Sequence, residues 1–277
     1  MIVKIYKGDN KKLIKFLTEE ISFLPYSSIM KILRKKDVKV NGKRVSDNVT
    51  ICDGDEIQIF VPQNRIEQRK NIPIVYNDEN IVIVNKPRDV EVESETGEDL
   101  VSILSLQIGT QVKACHRIDR NTKGLVVFAK NDKAYNSLLD AFKKRKLEKF
   151  YKASVFGKPK NEEKLIAYLK KDSKQSQVYI SDKKQDGYVK IQTNYKLIET
   201  NEEISILEVE LITGKTHQIR AHLAHVGLPI VGDEKYGDNE KNKIYKKKKQ
   251  ELEAYKMVFK LDKGNVLEYL NNLKFEI

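Results

Sequence analysis

The chain has 277 residues, of which 40% are hydrophobic, and its 52 Lys and Arg outnumber 40 Asp and Glu for a formal charge of +12. Such a length can bury a substantial core and hold two domains, and such a charge suits a polyanionic partner, chiefly nucleic acid or an anionic membrane, as well as it suits a merely solvated lysine-rich surface. No apolar run approaches the roughly 20 residues that span a bilayer, so no membrane partner is expected.

In chain order, Met1 to Gly8 is interrupted by lysines and lacks the small-residue cleavage site of a secretory signal. Leu13, Ile14, Leu17 and Ile21 predict a first helix, and Ser27 or Ser28 is placed to cap a second that carries Ile29, Ile32 and Leu33. Val38 and Val40 alternate with lysines ahead of Asn41-Gly42, a strong hairpin-turn dipeptide. Asp53-Gly54-Asp55 then turns into a strand with Ile57, Ile59 and Val61 on one face. Lys35, Lys36 and Lys39 set cations beside the hairpin, as a phosphate backbone requires; a plain solvated basic face is the alternative. The stretch resembles the S-four RNA-binding module, and its Val-x-Val-Asn-Gly and Gly-Asp-x-Ile pieces carry the resemblance. We expect a domain over residues 1–62, a polar linker over 63–71 and a second domain over 72–277.

The second domain opens with Ile74-Val75-Tyr76, a polar turn, and Ile81 to Val84 as a buried strand leading to Asn85-Lys86-Pro87. Its most informative stretch is His116 to Lys130, His-Arg-Ile-Asp-Arg-Asn-Thr-Lys-Gly-Leu-Val-Val-Phe-Ala-Lys. Leu125 to Ala129 predicts a buried strand, which mounts Asp119 at the edge of the core. The flanking Arg117 and Arg120 favour a carboxylate anion, and a rigidly held anion can act as a nucleophile. A surface ion pair at a strand end is the plainer reading of those residues alone. Asn131 is placed to cap a helix over about 132–146 with Ala134, Leu138 and Phe142 inward.

Lys149 to Gly157 reads as a strand containing Tyr151, by itself a core-edge tyrosine. A further strand runs from Ile204 to about Ile212, Thr213-Gly214 turns, and Thr216 is a plausible cap for a helix with Ile219, Leu223 and Val226 as its stripe. Gly227 ends that helix. Arg220 lies close to the stripe, and a partly buried Arg wants a carboxylate. The lysine-dense segment 238–249 reads as a solvated loop able to touch RNA, and Met257 to Leu261 and Tyr269 to Ile277 as strands that close a sheet.

Three segments together resemble the RluA-type pseudouridine synthases. They are His-Arg-Ile-Asp-Arg-x-Thr-x-Gly before an apolar strand, Lys-x-Tyr-x-Ala at 149–153, and Thr-Gly-Lys-Thr-His-Gln-Ile-Arg-x-His at 213–222, where Lys215 stands in place of the family's first Arg. The resemblance implies Asp119 as the catalytic residue, Arg220 as its partner, and Tyr151 as a residue that stacks on the target base and is a candidate for a proton step. It implies RNA contacts from His116, Arg117, Arg120, Thr122 and His217, with Lys35, Lys36 and Lys39 contributing from the N-terminal module. The fold it implies is α+β, with a mixed, mainly antiparallel sheet.

The expected activity is isomerisation of uridine to pseudouridine by an Asp nucleophile acting on a flipped-out base, with large-subunit ribosomal RNA as substrate and transfer RNA as the alternative. A non-catalytic ribosome-assembly factor and an unrelated Asp-nucleophile hydrolase are the competing classes. The first is opposed by the intact Asp119, Tyr151 and Arg220 set, the second by the lack of a Gly-rich phosphate loop in the sequence. Nothing demands a metal or cofactor: His217, His222 and His225 lack the spacing of a zinc site. Cys52 and Cys115 are far apart and read as reduced thiols of a monomeric cytoplasmic protein.

Overall fold

Alternating apolar residues on short strands build the N-terminal sheet of the computed structural model, which describes residues 2–21, 26–60, 71–94 and 99–277. Its elements are β1 (Ile2–Ile5), β2 (Lys11–Lys12), α1 (Leu13–Glu20), α2 (Tyr26–Arg34), β3 (Val38–Val40), β4 (Lys43–Val45), β5 (Thr50–Ile51) and β6 (Glu56–Ile59). The strand order is β1-β6-β3-β4, and β2 pairs with β5. Ile57 and Ile59 face Val40 and Val38 across the β3–β6 ladder. Both isoleucines join Leu13, Leu17, Ile29 and Leu33 in a core of their own.

Asn41 and Gly42 both have positive φ, 50° and 76°, the hairpin geometry their dipeptide predicts. The second helix starts at Tyr26, so Ser27 and Ser28 lie inside it rather than capping it. Val61 and all of the expected linker except Asn71 lie outside the described residues.

The larger sheet is assembled from β7 (Ile74–Asn77), β8 (Ile81–Lys86), β9 (Lys113–Ala114), β10 (Lys123–Ala129), β11 (Leu147–Phe156), β12 (Glu162–Asp172), β13 (Gln177–Ser181), β14 (Val189–Thr200), β15 (Ile204–Leu211), β16 (Leu252–Phe259) and β17 (Lys274–Glu276). Its helices are α3 (Leu100–Ile108), α4 (Asp132–Lys143), α5 (Gln218–His225) and α6 (Asn239–Ile244). The order is β13-β12-β14-β15-β11-β16-β10-β8-β7, with β17 on β16 and β9 on β10. The pair β10–β16 is parallel, through Lys123 with Glu253 and Gly124 with Ala254, and the other ladders of this sheet are antiparallel. The expected mixed, mainly antiparallel α+β architecture is therefore present.

Both faces of the central strands are buried, which explains their unbroken apolar runs. Val82, Val84 and Val126 join Tyr151 and Val209 on one face, while Ile81, Ile83 and Leu125 pack with α4 residues on the other. Among the described residues, no helix is long and apolar enough to cross a membrane.

Helix α4 and the lysine-dense segment also differ from expectation, and the strand expected over 269–277 is limited to Lys274–Glu276 behind a 3₁₀ turn at Glu268–Leu270. Helix α4 ends at Lys143 rather than 146, because Arg145 turns left-handed (φ 58°) and the Lys146 N–H returns to the Ala141 carbonyl at 2.8 Å. Residues 239–244, expected in a loop, form α6. Asp238 caps it by accepting from the Glu240 and Lys241 N–H groups at 3.1 and 2.9 Å, and Asn242 anchors it by accepting from Gly232 N–H at 2.7 Å.

Gly124 sits where the parallel strands meet. Its φ is 118°, and a Cβ there would stand 2.3 Å from the Ala254 carbonyl oxygen. Gly124→Ala is expected to cost about 2–4 kcal/mol from a strained backbone and overpacking. Urea unfolding measures this, and an unchanged midpoint would show that the seam yields freely.

Candidate active site

Asp119 occupies the loop between β9 and β10, and that loop is tied down on all sides. The Thr122 N–H donates to the Asp119 carbonyl at 3.0 Å, and the buried Thr122 hydroxyl accepts from Gln250 Nε2 at 2.8 Å. Lys86, fully buried at the end of β8, donates to the carbonyls of Arg120 (2.9 Å), Pro87 (2.9 Å) and Val90 (2.8 Å). One ammonium thus fixes the loop after β8 to the loop bearing Asp119. Burial pushes this ammonium down to about 8, with the charge of Asp119 opposing the shift. Sequence reasoning assigned Lys86 no part in the site.

Arg220 comes to Asp119 from α5, 101 positions away in sequence, and its Nη1 donates to Asp119 Oδ2 at 2.8 Å. The expected pair is therefore in contact. What the sequence did not reveal is a second carboxylate on the same guanidinium. Arg220 Nε and Nη2 donate to Asp233 Oδ2 and Oδ1 at 2.7 and 2.9 Å, a two-pronged bond to a side chain only 1% exposed. Asp233 also accepts from the backbone N–H groups of Lys235 and Tyr236, at 2.9 and 3.1 Å. Burial opposes its charge, but the Arg220 bonds hold the carboxyl below the usual range. Burial likewise opposes the guanidinium, and the two carboxylates outweigh it to raise Arg220 above its ordinary value. The ring of Tyr236 completes the surround, 5.3 Å from the guanidinium carbon.

Helix α5 is not started by Thr216. His217 leads into it in a left-handed conformation (φ 52°) without a side-chain cap. Gln218, the first residue of the helix, instead braces the turn before it. Its Oε1 accepts from the Thr213 hydroxyl (2.8 Å) and Lys215 N–H (3.1 Å), and its Nε2 donates to the Gln192 carbonyl and Thr193 hydroxyl, both at 3.0 Å. This network ties the 213–217 turn to β14. His217 Nε2 lies 4.0 Å from Asp119 Oδ2, and its Nδ1 lies 3.0 Å from the Tyr236 hydroxyl. Burial lowers its pKa, with Asp119 opposing.

Tyr151, from β11, is 5% exposed and lines the same cavity as Asp119 and Arg220. Burial, and then the charge of Asp119, push its phenol above the ordinary tyrosine range. The cavity is about 540 Å³. Arg117, exposed, and His116 line it too. His116 Nε2 accepts from the Val127 N–H at 3.1 Å and its ring lies on Phe142, so Nδ1 carries the proton of the neutral ring. Burial pushes its pKa down to about 3. Arg120 turns instead toward the loop after β8, where its Nε donates to the Asp89 carbonyl at 3.3 Å. Lys35 and Lys36 lie in the turn after α2 and Lys39 on β3, where it lies over the Phe60 ring.

The remaining histidines have other partners. His222, 1% exposed, lies 3.0 Å from the Thr193 hydroxyl through Nδ1, and His225 pairs with Asp182 at 2.8 Å. Burial pushes His222 from 6.5 to about 4. In the unfolded chain it takes up a proton first as the pH falls, so its contribution is intact above pH 6.5 and is lost between there and about 4. The loss is on the order of 1.4 kcal/mol per pH unit. Denaturant unfolding at pH 7 and pH 5 should show a smaller difference for His222→Gln than for the wild-type chain. Equal differences would mean that His222 titrates alike folded and unfolded.

With this geometry in place, the comparisons with known proteins are specific. Residues 80–225, just over half the chain, match the family model described as RNA pseudouridylate synthase. An uncharacterized RNA pseudouridine synthase of Mycoplasma capricolum is 32% identical over 97% of this chain and 94% of its own. A ribosomal large subunit pseudouridine synthase C of Vibrio parahaemolyticus is 30% identical over 80% of this chain and 75% of its own. Among solved structures, human RNA pseudouridylate synthase domain containing 1 superposes with a TM-score of 0.61 at 25% identity, covering 71% of this chain and 81% of the human one. The chain belongs to the RNA pseudouridylate synthase family, and within it to the RluA type. Its activity is accordingly the isomerisation of uridine to pseudouridine in RNA.

Proposed function

We propose that the substrate is large-subunit ribosomal RNA, that the target uridine swings out of its stack into the Asp119 cavity, and that Asp119 is the nucleophile or proton acceptor at the ribose. The observation that carries this reading is the carboxylate itself. Asp119 is 24% exposed to the cavity while one of its oxygens is held by an Arg220 that Asp233 grips from the other side. An anion fixed in that way is preorganised to act on a bound sugar.

The reaction breaks the bond between C1′ and N1 and makes one between C1′ and C5, with no net redox change and no net hydrolysis. Asp119 attacks C1′, or removes a ribose proton, and uracil leaves. The base turns in the cavity and rejoins through C5, and the C5 proton is then lost. Flipping exposes the glycosidic bond, which is out of reach inside a stack. Tyr151 stacks on the base. Its raised pKa keeps the phenol protonated, so it serves that proton step as a hydrogen-bonding group rather than as an anionic base. Arg117 takes the gap the uridine leaves. His116 and Thr122 hold the loop on which the RNA rests, and Arg120 and His217 border it.

The ribosomal assignment rests on the names of the relatives, including the Vibrio enzyme. Residues 1–62 act as a docking module that presents Lys35, Lys36 and Lys39 to phosphates, joined through 63–71 to the catalytic domain at 72–277. The protein works as a cytoplasmic monomer. Pseudouridine mapping of ribosomal and transfer RNA, from cells with and without the gene, tests the reading. Loss of one or more large-subunit positions is expected. Loss confined to transfer RNA would replace the substrate, and unchanged maps in both would overturn the reading.

A further inference from the structure

The cavity that holds Asp119 has a second, cationic part for which the isomerisation has no use. Lys149 contributes to it from β11, two positions before Tyr151. Its ammonium lies over the Phe142 ring at 5.5 Å. Burial lowers it below the ordinary lysine range, and no counter-charge among the described residues offsets that burial. His116 is near enough to feel its charge and is itself held neutral. Lys143, Arg145 and Lys215, all exposed, line the same cavity.

A half-buried ammonium with no carboxylate is costly to the folded chain, and the apolar replacement would be cheaper. An ammonium so placed, lining the cavity, is open to an anion that arrives from outside. The turn opposite leaves room for one. A Cβ at Gly214 would stand 3.4 Å from Lys149 Nζ, so a longer side chain there would cover the ammonium. The backbone of Gly214 is not left-handed, so conformation alone does not call for glycine at this position.

We propose that Lys149 is the anchor of a phosphate subsite, which takes a phosphodiester flanking the target uridine while Lys143, Arg145 and Lys215 supply charge at its rim. This rests on the uridine entering the Asp119 cavity and adds how its strand is gripped there. A phosphate on Lys149 satisfies the ammonium, excludes water from the Phe142 side and sets the nucleotide at a fixed reach from Asp119.

The test compares uridine, uridine 3′-monophosphate and uridine 5′-monophosphate as ligands of the full chain, by calorimetry or NMR titration at low salt. One of the two nucleotides is expected to bind at least about tenfold more tightly than uridine, the size of one charge-assisted hydrogen bond. Lys149→Met, which keeps the stem on Phe142, should erase that preference, leave uridine binding unchanged and hold or raise the thermal midpoint. Gly214→Leu should reduce the preference with Lys149 still in place. A preference that survives Lys149→Met, or its absence from the wild-type chain, overturns the subsite. So does a Lys149→Met chain that loses stability and uridine binding together. Because these readouts need no turnover, a subsite that passes in a chain without isomerase activity would sink the proposed function alone. An active enzyme whose nucleotide preference ignores Lys149 would sink the subsite alone.

Discussion

Asp119→Asn is expected to lower pseudouridine formation by about 10⁴-fold or more, as loss of a nucleophile does in other enzymes, while RNA affinity stays within a few-fold of the wild-type value. The substitution is nearly isosteric. The amide oxygen can still accept the Arg220 Nη1 bond, and the loop is held independently by Thr122, Gln250 and Lys86. Only the charge and one carboxylate oxygen are removed, so under the proposed role the effect should fall on kcat and not on KM. The measurement is single-turnover release of tritium from C5-labelled RNA beside filter binding. Parallel losses of rate and affinity would make Asp119 a docking residue, and an unchanged rate would remove it from the chemistry.

Asp233→Ala is expected to be the most damaging change outside the reacting groups. Arg220 would keep a single carboxylate, the exposed one, and the Lys235 and Tyr236 N–H groups would lose their acceptor. Breaking a buried pair by removing one partner typically costs about 3–5 kcal/mol. Asp233→Asn, with its oxygen in the Oδ1 position, retains at most three of the four acceptor bonds and should fall between. A folded remnant should show a kcat loss larger than its KM change, because Arg220 would be free to swing away from Asp119. Urea unfolding of both variants, with kinetics on whatever stays folded, separates these effects. A chain with Asp233→Ala that unfolds and turns over like the wild type would show that Asp119 alone holds Arg220.

Much of the site could be read from the sequence because its chemistry is local in the chain. Asp119 stands between arginines ahead of an apolar run, Tyr151 sits in a β-branched and aromatic strand, and Arg220 lies beside a helical stripe. What escaped reading depends on burial and on partners far apart. Asp233 lies in Val-Gly-Asp-Glu-Lys-Tyr-Gly, where an acid one glycine after the apolar Ile230-Val231 was a faint hint of an inward charge. Lys86 looks like any lysine at a strand end, and its three carbonyl acceptors come from two separate loops. Thr216 satisfied every local rule for a helix cap, yet the helix starts without a side-chain cap, and Gln218 ties the turn before it to β14. In α6 the density of lysines suggested a loop, although Asp238 carried the cap signal. Local patterns gave β7, β8, β10, β11 and β15 and left β12, β13 and β14 unread. They could not give the parallel meeting of residues 123–124 with 253–254, which no short-range periodicity encodes.

That meeting bears on how the enzyme comes into being. Strand β16 lies between β11 and β10, yet it is among the last elements along the chain. While the polypeptide is being translated, the strands before it can form two half-sheets with an unfilled slot and open hydrogen-bonding edges. Contacts of such long sequence separation form slowly. Asp119 follows β9 on one half and Tyr151 lies on the other, so they are brought to one cavity only when β16 is inserted. A nascent chain still short of β16 therefore carries Asp119, Tyr151 and Arg220 without the sheet that joins them.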